Sequence, residues 1–507
     1  MTPTTRGTGT RRTVAAAMLV AALAAVLAAG FGAGVRTTFG GQAAVDEPQY
    51  LLTALSLWED HSLDISDELA DRRWRDFHDA ELPVQTKQFD GGRQVSPHDP
   101  LLPLLLAAPM GLGGWLAAKL ALAVLAGGVA ALTVWVAVRR FGVRPWLAGA
   151  GTAVVAASPP LAVYGQQVYP ELPAAGAVLV VVAVATGPLR RRDVALAGRA
   201  VVALPWLSVK YAAVAAVLAV LVLWRLARPG GPGERRADRR AALSLAGGLG
   251  AAGVLYLALH QLWWGGLTVY ASGDHFVQTG EASVMGVDPD YVGRSLRLVA
   301  LLVDRAYGLA AWAPVWLLAV VALGALVRRR PDGWALIALP ALAGWAMATW
   351  AALTMHGFWW PGRQVVVVLP LLLVALLWWA DRVAGPLGRA AAALFGLVGL
   401  AATAALLVDG WAREITWVSG FELVDDPLYS WARALLPDYR GDLAAGDWLR
   451  HAARIAVRAA LALVGWRQGE DRPASRRTPD PTGTSVTDPH DPHDPNEPAD
   501  RPALTRA

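Results

Sequence analysis

The chain has 507 residues, 55% of them hydrophobic and only 17% charged, with a mean hydropathy of +0.39. A soluble domain carries about 25% charged residues, so the shortfall excludes a soluble globular protein. The net charge of +5 does not indicate nucleic acid, because the arginine clusters lie between apolar runs, where they orient a protein in a bilayer. The absence of cysteine excludes disulfides, thiolate metal sites and thiol nucleophiles.

Residues 1–13 hold Arg6, Arg11 and Arg12 and precede the first apolar run, 14–35. The positive-inside rule makes 1–13 a cytoplasmic N-terminus. A cleaved signal peptide fits less well, since the run exceeds an h-region of about 7–15 residues and lacks a clean Ala-x-Ala site. Polar residues 36–98 then form a first outer loop. Runs 115–138, 146–163 and 172–187 alternate across the membrane, returning to Arg139, Arg140 and Arg144 and then to Arg190, Arg191 and Arg192. Stretch 197–226 has arginines on both flanks and is too long for one crossing of about 20 residues. It predicts a hairpin with Ser208 and Lys210 at its tip.

Run 241–262 goes out, and 263–308 is a second outer loop. Runs 309–327, 333–354, 364–380 and 390–408 bring the count to eleven crossings. Trp115, Trp146, Trp263, Trp264, Trp359, Trp360, Trp378 and Trp379 stand at run ends, as an aromatic interface belt does. Arg450, Arg454 and Arg458 stripe 450–466 at a spacing of four. They predict an interfacial helix rather than a twelfth span, within a short extracytoplasmic or interfacial region, 410–468. Residues 469–507, rich in Pro, Asp and Thr, predict a disordered tail. The predicted fold class is all-α: a polytopic integral membrane protein with about eleven transmembrane helices over 14–409, twelve being the alternative.

The informative polar residues fall on the outer side. Asp46-Glu47-Pro48 opens a helical pattern. An Asp at the N-cap with a following Pro is an ordinary helix start, but a helix start needs one acid, and two suit a general base with a companion. Glu171 begins the fourth run, where the helix dipole favours a carboxylate. Two acidic sites at one membrane surface can also divide acid and base roles or hold a metal. Lys210, one of three lysines, sits in an apolar stretch, where a charge is rare and functional by default; snorkelling at a hairpin tip is the bland account. Arg363, in Pro361-Gly362-Arg363, either anchors at the water–lipid boundary or clamps a phosphate with its planar fork. Arg305 can contribute in the same way. His98-Asp99 closes the first outer loop, as a turn with a capping Asp or as metal ligands.

Asp46-Glu47-Pro48-Gln49-Tyr50-Leu51 after the first span resembles the acidic motif of the GT-C superfamily of membrane glycosyltransferases, which includes the protein O-mannosyltransferases and the lipid A aminoarabinose transferases. His98-Asp99-Pro100-Leu101-Leu102-Pro103-Leu104 resembles the end of that family's first outer loop, and Tyr169-Pro170-Glu171 its second acidic site. Leu204-Pro205-Trp206-Leu207-Ser208-Val209-Lys210-Tyr211 and Pro361-Gly362-Arg363 resemble stretches of bacterial members. Two features depart from the family: Gln364 follows Arg363 in place of an aromatic, and 410–468 is short for a C-terminal periplasmic domain.

The resemblance implies transfer of a sugar from a polyprenyl-phosphate carrier to a glycan, lipid or protein hydroxyl on the extracytoplasmic face, usually with inversion. It implies Asp46 as general base, with Glu47 and Glu171 as companions, and Lys210, Arg363 and Arg305 on the lipid phosphate. A divalent cation, if used, would be held by Glu47, Glu171 and His98. The alternative is a transporter or lipid-linked-sugar flippase without transferase activity; a non-catalytic scaffold is a third reading.

Overall fold

The computed structural model describes residues 6–83, 85–228, 238–269, 290–352, 354–421, 423–439 and 445–469. The chain divides into two compact units, 1–470 and 471–507. The second unit, with the predicted disordered tail, lies outside the described residues, as does the middle of the second outer loop. Among the described residues the fold is helical apart from one short antiparallel hairpin, β1 (Lys87–Gln88) with β2 (Gln94–Val95), Lys87 lying opposite Val95.

α1 (Arg6–Gly32) leads into the polar segment 36–98, which carries α2 (Glu47–Glu59), α3 (Ser66–Ala70) and the hairpin. α4 (Leu101–Arg139) spans 39 residues in two rods, because Gly114 sits at φ 65°, ψ −163°, a backbone that side chains forbid. The second rod is the crossing predicted from 115. The first rod packs on α2 closely enough that a Cβ at Gly111 would overlap the Trp58 indole. α5 (Pro145–Ala156), α6 (Leu161–Tyr164) and α7 (Glu171–Ala185) follow. α8 (Arg191–Leu207) and α9 (Ala212–Ala227) form the predicted hairpin; Ser208 is extended and Lys210 lies in the 3-10 turn joining them.

α10 (Arg239–Trp264) precedes segment 263–308, whose described part holds α11 (Tyr291–Arg294) and α12 (Arg297–Val303). Then come α13 (Leu309–Trp312), α14 (Leu317–Arg329), α15 (Trp334–Ala346), α16 (Leu369–Arg382), α17 (Pro386–Trp411), α18 (Pro427–Leu435) and α19 (Ala445–Gln468).

Among the described residues, seven helices are long and apolar enough to cross a bilayer: 11–32, 101–139, 209–227, 239–264, 334–351, 363–382 and 386–411. The chain is a multi-pass membrane protein, but among the described residues eleven full-length crossings are not seen. Prolines explain much of the difference, since proline removes a backbone donor and breaks the helical ladder. Pro159-Pro160 splits 146–163 into α5 and α6, and Pro314 interrupts 309–327. α7, with 15 residues, and α8, with 17, are short rods.

The arginine-rich helix ends gather at one face. Arg140 Nε donates to Ala183 O (3.0 Å), Arg389 Nε to Ala380 O (2.9 Å), and Arg144 pairs with Asp381. α4, α7, α9 and α16 run toward this face, so their N-termini meet at the other.

α19 runs against α14, so closely that a Cβ at Gly465 would sit 2.0 Å from Val321 O. At the arginine-rich face Trp379 Nε1 donates to Gln468 Oε1 (2.9 Å). Near its other end Tyr439 OH meets His451 Nδ1 (3.3 Å), and Tyr439 N donates to Asp304 beyond the start of α13. Arg458 is absorbed between them, giving both Nη groups to the carbonyls of Leu298 and Val299 (2.6 Å each). The tryptophan belt is also only partly realised. Trp146 is 62% exposed, whereas Trp264, Trp360, Trp378 and Trp379 are buried core residues.

Candidate active site

Asp46 occupies the N-cap of α2, yet its side chain makes no capping bond. The carboxylate turns instead to Arg363, whose Nη2 donates to Asp46 Oδ2 (2.9 Å), and to His98, whose Nε2 lies 3.8 Å from the same oxygen. The preceding Val45 has φ 60°, a genuine outlier for a β-branched residue. Strain of this kind, on the order of 1–3 kcal/mol, persists where surrounding structure over-determines it. Burial alone raises the Asp46 carboxyl, but Arg363 and then His98 outweigh it and hold the group well below the usual carboxylate range.

Arg363 follows Gly362, at φ 83°, where a Cβ would meet Leu309 at 2.7 Å. Glycine there lets the chain turn into the 3-10 segment Arg363–Val368 that enters α16. The guanidinium lies 4.0 Å from the Tyr169 ring centroid and donates through Nε to Glu171 Oε1 (2.9 Å). Lys210 Nζ donates to that same oxygen (2.6 Å). Glu171, the first residue of α7, therefore bridges two cations instead of capping its helix. The outcome is one chain of contacts, His98–Asp46–Arg363–Glu171–Lys210, built from the starts of α2, α7, α9 and α16. Glu171 Oε2, Tyr169 OH and Tyr211 OH are buried with no hydrogen-bond partner among the described residues. Such groups each cost about 1–3 kcal/mol in the absence of a ligand.

Asp99 does not cap α4. Its Oδ1 accepts from Tyr256 OH (2.9 Å) and His260 Nε2 (3.0 Å) of α10, and its Oδ2 from Val209 N (2.9 Å), the residue before Lys210. Trp206 packs on both α10 rings, at 5.1 and 5.3 Å. From there a groove of about 1380 Å³ runs between α8 and α10, past Pro100 and Leu101, to Arg191 and Arg240 at the arginine-rich face. The acid–base cluster does not line this groove; it stands beside it, joined through Asp99.

Three expected roles are corrected by placement. Glu47 is fully buried and its carboxylate is already engaged: Oε2 accepts from Thr37 Oγ1 (2.7 Å) and Ala44 N (3.1 Å), and Oε1 accepts from Val168 N (2.8 Å) and lies 3.8 Å from Lys119 Nζ. It anchors the outer loop to α4 rather than assisting Asp46. Lys119, which the sequence did not single out, is its buried counter-charge. Arg305 pairs with Asp438 (2.7 Å), away from the cluster. Among the described residues Glu47, Glu171 and His98 do not bring their ligand atoms together as a metal site would, so they do not fit a shared divalent ion and no step is routed through one.

No protein-family model matches the chain, and no characterised protein matches it in sequence. Among solved structures, it is similar to ArnT from Cupriavidus metallidurans bound to undecaprenyl phosphate, with 15% identity over 92% of this chain and 75% of that chain and a TM-score of 0.49. The apo state of the same protein gives 16% identity over the same shares and a TM-score of 0.43. The apo oligosaccharyltransferase of Archaeoglobus fulgidus gives 11% identity over 90% of this chain and 55% of that chain, with a TM-score of 0.36.

Proposed function

We propose that this chain is a membrane glycosyltransferase of the GT-C kind, moving a sugar from a polyprenyl-phosphate carrier to an acceptor hydroxyl on the extracytoplasmic face. One observation carries the reading: two carboxylates and two cations form one largely buried chain of contacts, Asp46–Arg363–Glu171–Lys210, beside a long apolar groove. Helix N-termini add their partial positive charge at the same place, which favours an anion. The groove suits an isoprenoid tail entering between α8 and α10, with its phosphate reaching Lys210 and Arg363.

In the reaction, the acceptor oxygen attacks the anomeric carbon while the bond from that carbon to the phosphate oxygen breaks. The hydroxyl proton passes to Asp46, and the bonding electrons leave with the polyprenyl phosphate. Arg363 and Lys210 stabilise the charge that grows on the leaving phosphate, a contribution that is commonly the largest in catalysis. Attack from the face opposite the phosphate inverts the anomeric centre.

The depressed Asp46 carboxyl is a poor base while Arg363 holds it. A base works best when its pKa approaches the working pH. Drawing the guanidinium toward a donor phosphate loosens that hold and strengthens the base only once substrate is in place. A transporter is less well supported, since transporters set their polar residues near the bilayer midplane, whereas this cluster lies at helix starts on one face. The test is Asp46→Asn in a polyprenyl-phosphate-sugar turnover assay. Transfer should vanish with expression and insertion unchanged; retained turnover would remove Asp46 from the mechanism.

A further inference from the structure

The first outer loop holds a second acidic feature, away from the cluster around Arg363. Asp60 caps the C-terminus of α2, and Asp67 and Glu68 lie in α3. One carboxylate oxygen from each falls within 4.8 Å of the others. Asp60 and Asp67 are exposed, which alone would mean little. Glu68 is different: it is only 2% exposed, and among the described residues no donor group hydrogen-bonds to either of its oxygens. Buried carboxylates are ordinarily paired, hydrogen-bonded or bound to a metal. The neighbouring cation, Arg73, is engaged by Glu59 through both Nη groups (2.9 and 3.0 Å).

We propose that Asp60, Asp67 and Glu68 form a binding site for a hard divalent cation, Ca²⁺ in particular, which ties the end of α2 to α3. Oxygens sharing a Ca²⁺ at about 2.3–2.6 Å can stand up to roughly 5 Å apart, and the three carboxylates meet that limit as they are. All donors are oxygen, with no nitrogen or thiolate, which selects Ca²⁺ or Mg²⁺ over zinc. Two exposed side chains on a loop suit the irregular, partly hydrated sphere of Ca²⁺ better than the strict octahedron of Mg²⁺. The ion stiffens the loop that begins at Asp46 and ends at His98, without touching either.

The test uses the full-length protein in detergent, stripped with EDTA and titrated with CaCl₂ by calorimetry, with melting followed in parallel. Saturable binding at about 10⁻⁴–10⁻³ M, the range of extracellular modules, is expected, together with a rise in Tm that NaCl at equal ionic strength does not reproduce. MgCl₂ should bind at least about tenfold more weakly. Glu68→Gln should abolish the response to Ca²⁺. Asp60→Asn, at an exposed position, should weaken binding by about 10-fold or more. Absence of saturable Ca²⁺ binding, or equal binding by the wild type and both variants, would overturn the assignment.

Discussion

Arg363→Ala is the most demanding perturbation of the cluster. The side chain makes two charged contacts of 2.9 Å, to Asp46 and Glu171. With charge centres about 4 Å apart and an effective dielectric near 20, each amounts to about 4 kcal/mol before desolvation is deducted. Removing one partner of a buried pair destabilises by about 3–5 kcal/mol, largely because the orphaned charge stays buried. Asp46, at 20% side-chain exposure, can find water, whereas Glu171, at 0%, cannot. Most of the loss therefore belongs to Glu171, whose remaining partner is Lys210. Neutralising it in the double variant Glu171→Gln/Arg363→Ala should recover part of the loss, with a coupling of roughly 1–3 kcal/mol. Denaturant or thermal unfolding of the four proteins of the cycle measures this directly. Arg363→Lys keeps the charge but not the fork, and should cut kcat on the order of 10²–10³-fold through lost stabilisation of the leaving phosphate. Effects additive within about 0.5 kcal/mol, or an Arg363→Lys enzyme with normal kcat, would refute the shared-cation account.

The pH profile follows from Asp46. Its folded pKa is depressed, so its contribution to stability is fully present above the unfolded carboxylate value and lost only as pH falls toward the folded one. The acid limb of kcat/KM should therefore lie below pH about 4 in the wild type and move upward in His98→Ala, which removes one of the two stabilising partners; an unmoved limb would exclude His98 as that partner. Asp99→Asn should raise KM for a long-chain polyprenyl donor by roughly 5–30-fold, a loss of about 1–2 kcal/mol, and change KM less for a short-chain analogue. Equal effects on both donors would dissociate the groove from tail binding. Because the chain has no cysteine, single-cysteine labelling reports topology cleanly. Glu81→Cys should react with an impermeant maleimide on intact cells and Arg467→Cys only after permeabilisation; outside labelling of both would refute the traverse of α19.

The apolar runs and the residues out of place within them were legible from the sequence. Lys210 and Arg363 stand out because a charge in an apolar stretch demands a reason, and Asp46 and Glu171 because each opens a helix. What pairs with what was not legible. Asp99 reads as a turn residue until Tyr256 and His260, some 160 positions later, arrive at its carboxylate. Glu47 looks like a second catalytic acid because nothing local reveals Lys119 or the Val168 amide. The arginines of α19 depress its hydropathy although Arg458 gives both ends of its fork to backbone carbonyls. Hydropathy charges a residue for water it would lose; it has no knowledge of partners it will gain.

The cluster at Arg363 also balances. Asp46 and Glu171 contribute two negative charges, Arg363 and Lys210 two positive ones. At rest the four side chains cancel at a distance, and the partial positive charge of the helix N-termini is the field that remains. An incoming anion that separates the members adds its own attraction to that field, so selectivity would arise chiefly from the geometry of that separation.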